Sequence, residues 1–162
     1  DSQHSTDPAP IVLLARLKKL LGLTGPGIVL SAACASSAAA LARAAAMVRH
    51  QQADRVLVVA ADAVSEFVYS GFSTLLSLCE TPAKPFDAER AGLTLGEAAG
   101  WALVERDRPG TEILGWGNTT DAVHMTAPDR HAGGLSRAIA KACKMAGRAP
   151  AEIGSAAWRE RV

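Results

Sequence analysis

Hydrophobic positions along this 162-residue chain alternate between helical and strand-like periods. After a polar lead, Ile11, Leu14, Ala15 and Leu17 fall opposite Arg16, Lys18 and Lys19, and Gly22 stands where a helix C′ residue belongs, so residues 11–21 are expected to be helical. Residues 28–33 form a short β-branched apolar run and are expected to be a strand. Residues 36–51 follow as a helix that is apolar on nearly every side between Ala38 and Val48, a composition that predicts burial on all faces. The continuous apolar run at 55–61 suits a central parallel strand, reached from the first strand by a helical crossover. Residues 64–79 read as an irregular, partly helical stretch and 81–86 as a proline-punctuated loop. Two further strands are expected at 96–105 and 112–117, joined as a hairpin through the turn signal Arg108-Pro109-Gly110. A second clear helix spans 133–146, with Leu135, Ile139, Ala142 and Cys143 on one face and Gly147 at its end, and a strand stub closes the pattern at 153–157. Strands alternating with helices give an α/β layered architecture.

Composition narrows the function classes. About half the residues are hydrophobic (49%), enough for one domain with a real core. Seventeen basic residues stand against sixteen acidic ones, scattered along the chain, so no charged field points to nucleic acid or to an anionic membrane surface. No apolar run has the length to span a bilayer, and the polar first ten residues do not resemble a secretory signal. Cys34, Cys79 and Cys143 are odd in number and widely spaced, without a Cys-x-x-Cys pair or a histidine at metal-ligand spacing. Neither a disulfide scaffold nor a metal site is expected, and a reducing, cytoplasmic setting fits.

The candidate chemistry sits at Ala33-Cys34-Ala35-Ser36-Ser37. An isolated cysteine in an apolar segment is ordinarily a small buried hydrophobe. Here the thiol falls between a strand and the N-terminus of a helix, where the helix dipole and unpaired N–H groups favour thiolate over thiol. The small neighbours allow backbone and substrate to approach the sulfur, and the Cys34 N–H is placed to face a developing oxyanion.

The blocks around it, in order, are Gly22-Leu-Thr-Gly-Pro-Gly27, the Cys34 elbow, Ser70-Gly71-Phe72, Lys84-Pro85-Phe86-Asp87, Glu89-Arg90, Gly92-Leu-Thr-Leu-Gly-Glu97 and Asp121-Ala-Val-His-Met-Thr-Ala-Pro128. In order and spacing these residues resemble the β-ketoacyl synthase family, the elongating condensing enzymes of fatty-acid and polyketide synthesis that take acyl chains from a carrier protein. The resemblance runs from about residue 8 to 157 and leaves 1–7 and 158–162 unmatched, so residues 1–162 are expected to be a single partial ketosynthase domain. It implies a partial thiolase-like layered fold in which the alanine-rich nucleophile helix is buried between two sheets. It also implies a homodimer paired through the strand before the cysteine, and no bound cofactor, because the substrate arrives on the phosphopantetheine of an acyl carrier protein.

Chemically, the resemblance implies that Cys34 accepts an acyl group as a thioester, and that a malonyl thioester then loses carbon dioxide and attacks it. That second step relies in the family on two histidines, the first in a His-Gly-Thr motif directly after the strand that here reads 153–157. This sequence instead gives Trp158-Arg-Glu-Arg-Val162. Acyl loading without condensation is therefore expected of this polypeptide; the alternative is an inactive remnant serving as a structural or interaction module. A third possibility pairs Cys34 with His124 as a complete acyl-transfer site.

Three more residues are substrate-binding candidates on the same resemblance. Phe72 matches the aromatic beside the acyl pocket, Leu93 occupies a position that is commonly Phe, and Thr126 lies in the loop near the pantetheine portal. His124 reads as an organiser of backbone hydrogen bonds and His50 as a cation near a helix C-terminus. Asp87 and Arg90 suit a loop-holding, charge-assisted contact. Glu97 also reads as structural.

Overall fold

The computed structural model describes residues 9–124 and 127–154. Five regular elements follow a first helix, giving α1 (Pro10–Leu20), α2 (Ser36–Arg49), β1 (Arg55–Asp62), α3 (Glu66–Thr74), β2 (Ala98–Glu105) and α4 (Gly133–Ala146), with a 3₁₀ turn at Pro150–Glu152. By packing, the chain divides into two units, one of Asp1–Ser37 with Leu57–Ala102 and the other of Ala38–Val56 with Leu103–Val162.

Local chemistry accounts for the helix ends. Pro10 opens α1, where its missing N–H is no loss. Gly22 at φ +63° lets the Leu23 N–H reach the Lys18 carbonyl (2.9 Å) and its own N–H reach Lys19 (3.4 Å), a Schellman closure. The same arrangement ends α4, where Arg148 N–H meets the Cys143 carbonyl at 3.0 Å beside Gly147 at φ +63°. Ser65 caps α3 by accepting from the Val68 amide at 3.3 Å, so the stretch expected to be irregular and partly helical holds one regular helix of nine residues. The Arg106 guanidinium donates to the Val48 carbonyl at 2.6 Å, placing a cation on the carbonyls that end α2.

The sheet differs from the sequence pattern. Among the described residues it holds two strands, β1 beside β2. β2 pairs with β1 rather than forming a hairpin with 112–117, which pairs with no strand among the described residues. Residues 28–33 are not a strand either, and Ile28, Val29 and Leu30 are exposed. A strand exists through its ladder, and an apolar, β-branched sequence states only a readiness to pair. With one neighbour, β1 buries Val58 alone instead of lying between two covered faces.

Close packing decides what the segment at 112–117 does. A Cβ at Gly117 would run into the Ala138 carbonyl, and one at Gly115 into the Ala142 carbonyl, so the extended backbone lies directly against α4. The face of α4 turned inward is therefore its small-residue stripe, with Gly134 and Cys143 buried and Ala138 and Ala142 half-buried, while Leu135 and Ile139 are exposed. Of the face expected from apolar periodicity, Ala142 and Cys143 do turn inward, and the larger Leu135 and Ile139 do not, because a contact this close admits no large side chain. Likewise α2 buries one stripe, Ala44, Ala45 and Val48, and leaves Ala38 and Arg43 exposed. Of the stub expected at 153–157, Ile153 and Gly154 are neither helix nor strand, and residues 155–157 lie outside the described residues. No helix among the described residues is long and apolar enough to cross a membrane.

Candidate active site

Cys34 is exposed and stands two residues ahead of α2. The turn that presents it is tight. Ala33, directly before it, has φ +48°, a left-handed conformation that costs an L-alanine ~1–2 kcal/mol. Two backbone bonds close the turn, Ala35 N–H to the Ala32 carbonyl and Ser36 N–H to the Ala33 carbonyl, each 3.0 Å. The Ser36 hydroxyl adds two more: it donates to the Ala33 carbonyl at 2.7 Å and accepts from the Ala32 amide at 2.8 Å. At ~0.5–1.5 kcal/mol net per bond, those contacts are of the size needed to offset the strain at Ala33. The turn consumes the Ala35 and Ser36 amides, whereas the Ser37 amide has no backbone acceptor among the described residues. An accessible sulfur thus lies beside a helix end with a donor still unspent.

Phe72 and Leu93, the two residues expected at an acyl pocket, are tied to a common residue. The Phe72 carbonyl accepts from the Ser77 amide at 3.1 Å, and the Ser77 carbonyl accepts from the Leu93 amide at 2.9 Å. Leu93 is locked further by its bridge to Leu78, in which its carbonyl accepts from Cys79 N–H at 3.1 Å. Phe72, on α3, is half-buried. Thr126, the third candidate, lies outside the described residues.

The loop residues set aside as structural have identifiable partners. Glu97 Oε1 accepts from the Val64 amide at 2.8 Å and so pins the exit of β1. Arg90 donates to the Asp87 carbonyl at 2.9 Å, while the Asp87 carboxylate accepts from the Glu89 amide at 2.7 Å, so the loop is held although the two charges do not meet directly. His124 Nδ1 accepts from the Ala127 amide at 3.1 Å, an organising bond inside its loop. Asp129 accepts from His131 N–H and Gly133 N–H at the start of α4, and these bonds hold its carboxyl below the usual aspartate value. Ser36 enters the sequence pattern only as a small neighbour of the thiol; its bonding role is the one a hydroxyl in the first turn of a helix offers, by reaching nearby backbone.

Comparison with known proteins gives the class first. A ketosynthase from Xenorhabdus doucetiae, solved in complex with its chain length factor, superposes with a TM-score of 0.81 at 36% identity over 86% of this chain and 35% of its own. A β-ketoacyl synthase from Burkholderia phymatum superposes at 0.73 with 29% identity, over 83% of this chain and 36% of that one. The chain thus has part of the ketosynthase, thiolase-like α/β fold. Residues 2–109 match the family model described as Beta-ketoacyl synthase, N-terminal domain. Among curated proteins, the 3-oxoacyl-[acyl-carrier-protein] synthase 2 of Coxiella burnetii is 32% identical over 146 residues, covering 81% of this chain and 35% of that protein. Nodulation protein E of Rhizobium meliloti is 32% identical over 131 residues, covering 75% and 33%. The chain belongs to the β-ketoacyl synthase family, whose members are condensing enzymes, and it spans about a third of the length of the curated relatives it matches.

Proposed function

We propose that Cys34 is an acyl-accepting nucleophile that takes its acyl group from the phosphopantetheine thioester of an acyl carrier protein. The observation that carries this reading is an exposed thiol presented by a left-handed Ala33 at the mouth of α2, within the span that matches the family. In the step, the Cys34 sulfur attacks the thioester carbonyl, a tetrahedral oxyanion collapses, the bond to the pantetheine sulfur breaks, and that thiol leaves with a proton. Backbone N–H groups at the elbow supply the electrostatic help that such an oxyanion needs. Phe72 and Leu93 form the apolar wall for the acyl chain, and Thr126 meets the pantetheine arm. The carrier as partner is supported by the similarity to the Coxiella relative, a 3-oxoacyl-[acyl-carrier-protein] synthase. Pairing with a second copy of the chain and a reducing cytoplasmic compartment, where a nucleophilic thiol stays unoxidised, complete the reading.

Condensation is a separate matter. Decarboxylation of a malonyl thioester calls for electrophilic or acid-base assistance, commonly worth ~10²–10⁴ in rate, and the groups flanking Cys34 are alanines and serines. Loading without condensation is the expected activity. Incubation with an acylated carrier protein should raise the intact mass of the polypeptide by one acyl group, and Cys34→Ala should abolish the gain. Subsequent malonyl carrier protein should release no carbon dioxide; β-ketoacyl product would overturn that half of the proposal. Absence of any mass gain would instead favour an interaction module, a reading supported by the large exposed apolar surface of the chain.

A further inference from the structure

The geometry points to Ser36 as a positioning residue for the nucleophile, acting through the backbone of Ala32 and Ala33. Its hydroxyl both donates to Ala33 and accepts from Ala32, and its own amide donates to Ala33 as well, so one residue makes three of the four bonds that close the turn over Cys34. Ala33 is the residue that most needs holding, because alanine leaves the left-handed region unless its surroundings insist on it. Without the hydroxyl, the Ala32 amide loses its partner and the Ala33 carbonyl keeps one bond of two. The peptide before Cys34 is then free to turn, carrying the sulfur and the Cys34 N–H away from their shared target. Ser37 is the internal contrast, since the same hydroxyl one residue later makes no side-chain hydrogen bond among the described residues. This inference rests on the reading of Cys34 as the nucleophile but is measurable apart from it.

The test uses the full polypeptide and the rate of Cys34 alkylation by iodoacetamide, resolved by peptide mass, with Cys79 in the same molecule as reference. Ser36→Ala should slow Cys34 alkylation relative to Cys79 about tenfold, as the turn that holds the sulfur accessible beside the helix end loosens. Ser37→Ala should leave the ratio unchanged. Ser36→Thr, which keeps the hydroxyl, should retain the wild-type ratio, while its isostere Ser36→Val should lose it; this pair guards against a general packing effect. Adding Ala33→Gly to Ser36→Ala should restore reactivity, because glycine takes positive φ freely. Where carrier loading is measurable, Ser36→Ala should lower the maximal single-turnover rate of acylation and leave the carrier concentration that gives half of it unchanged. A Thr and Val pair with equal ratios, or a Ser36→Ala variant that alkylates like wild type, overturns the role of Ser36. Failure of the carrier to load wild-type Cys34 overturns the acyl-transfer reading alone, since alkylation needs no carrier.

Discussion

Asp129 shows how one side chain sets the entry to a helix. Its Oδ1 accepts from His131 N–H at 3.0 Å and its Oδ2 from Gly133 N–H at 2.9 Å, in the order of influence that lowers its pKa, with Arg137 adding a smaller attraction. A carboxyl whose pKa is depressed on folding contributes stability in full above its unfolded value of about 3.8, and that contribution is lost as pH falls through the lower folded value. In an NMR titration, the His131 and Gly133 amide resonances should therefore move together, with a midpoint below 3.8. A midpoint at or above that value would contradict the hydrogen-bonded geometry. Gly117 is a second single-residue test. Replacing it with alanine drives a methyl group into the Ala138 carbonyl, and overpacking of this kind costs about 1–3 kcal/mol, read as faster hydrogen exchange in α4.

Elements were legible in the sequence to the extent that their information is local. α1, α2, α4 and both ordered strands fall close to where periodicity puts them, and Gly22 and Gly147 mark helix ends that the backbone then closes as glycine allows. What the pattern misplaced depends on partners. Residues 28–33 carry a strand-like composition without a ladder, 112–117 met α4 rather than β2, and Leu135 and Ile139 advertised a buried face that Gly134 and Ala138 in fact provide. At the site, Cys34 was visible because a lone thiol among small residues, between a strand-like run and the start of a helix, is unusual chemistry. The bonds of Ser36 and the left-handed conformation of Ala33 were not, since neither residue type advertises the conformation of its neighbour. Interaction at the other end of α2 yields a prediction at this scale. Arg106→Ala removes the guanidinium from the Val48 carbonyl, a contact worth about 0.3–1 kcal/mol at a helix C-terminus. Faster exchange should appear at the His50, Gln51 and Gln52 amides, which bond to Ala46, Val48 and Met47.

The buried hydrophobics among the described residues are Ala44, Ala45, Val48, Val58 and Cys143, whereas Phe86 (102%) and Trp101 (77%) stand in solvent. So small a core has little to unfold cooperatively. Isolated polypeptide should bind the dye ANS strongly and melt over a broad range, and a sharp transition without dye binding would show that these surfaces are covered in solution. The pairing of β1 with β2 alone has one more outcome. Among the described residues the sheet has no interior member, so each strand keeps a row of amides and carbonyls along one side with no described strand against it. In concentrated stock, each molecule then offers its neighbours a template, and fibrils that brighten thioflavin T would be seeded from Val56, Leu57, Val58 and Val59.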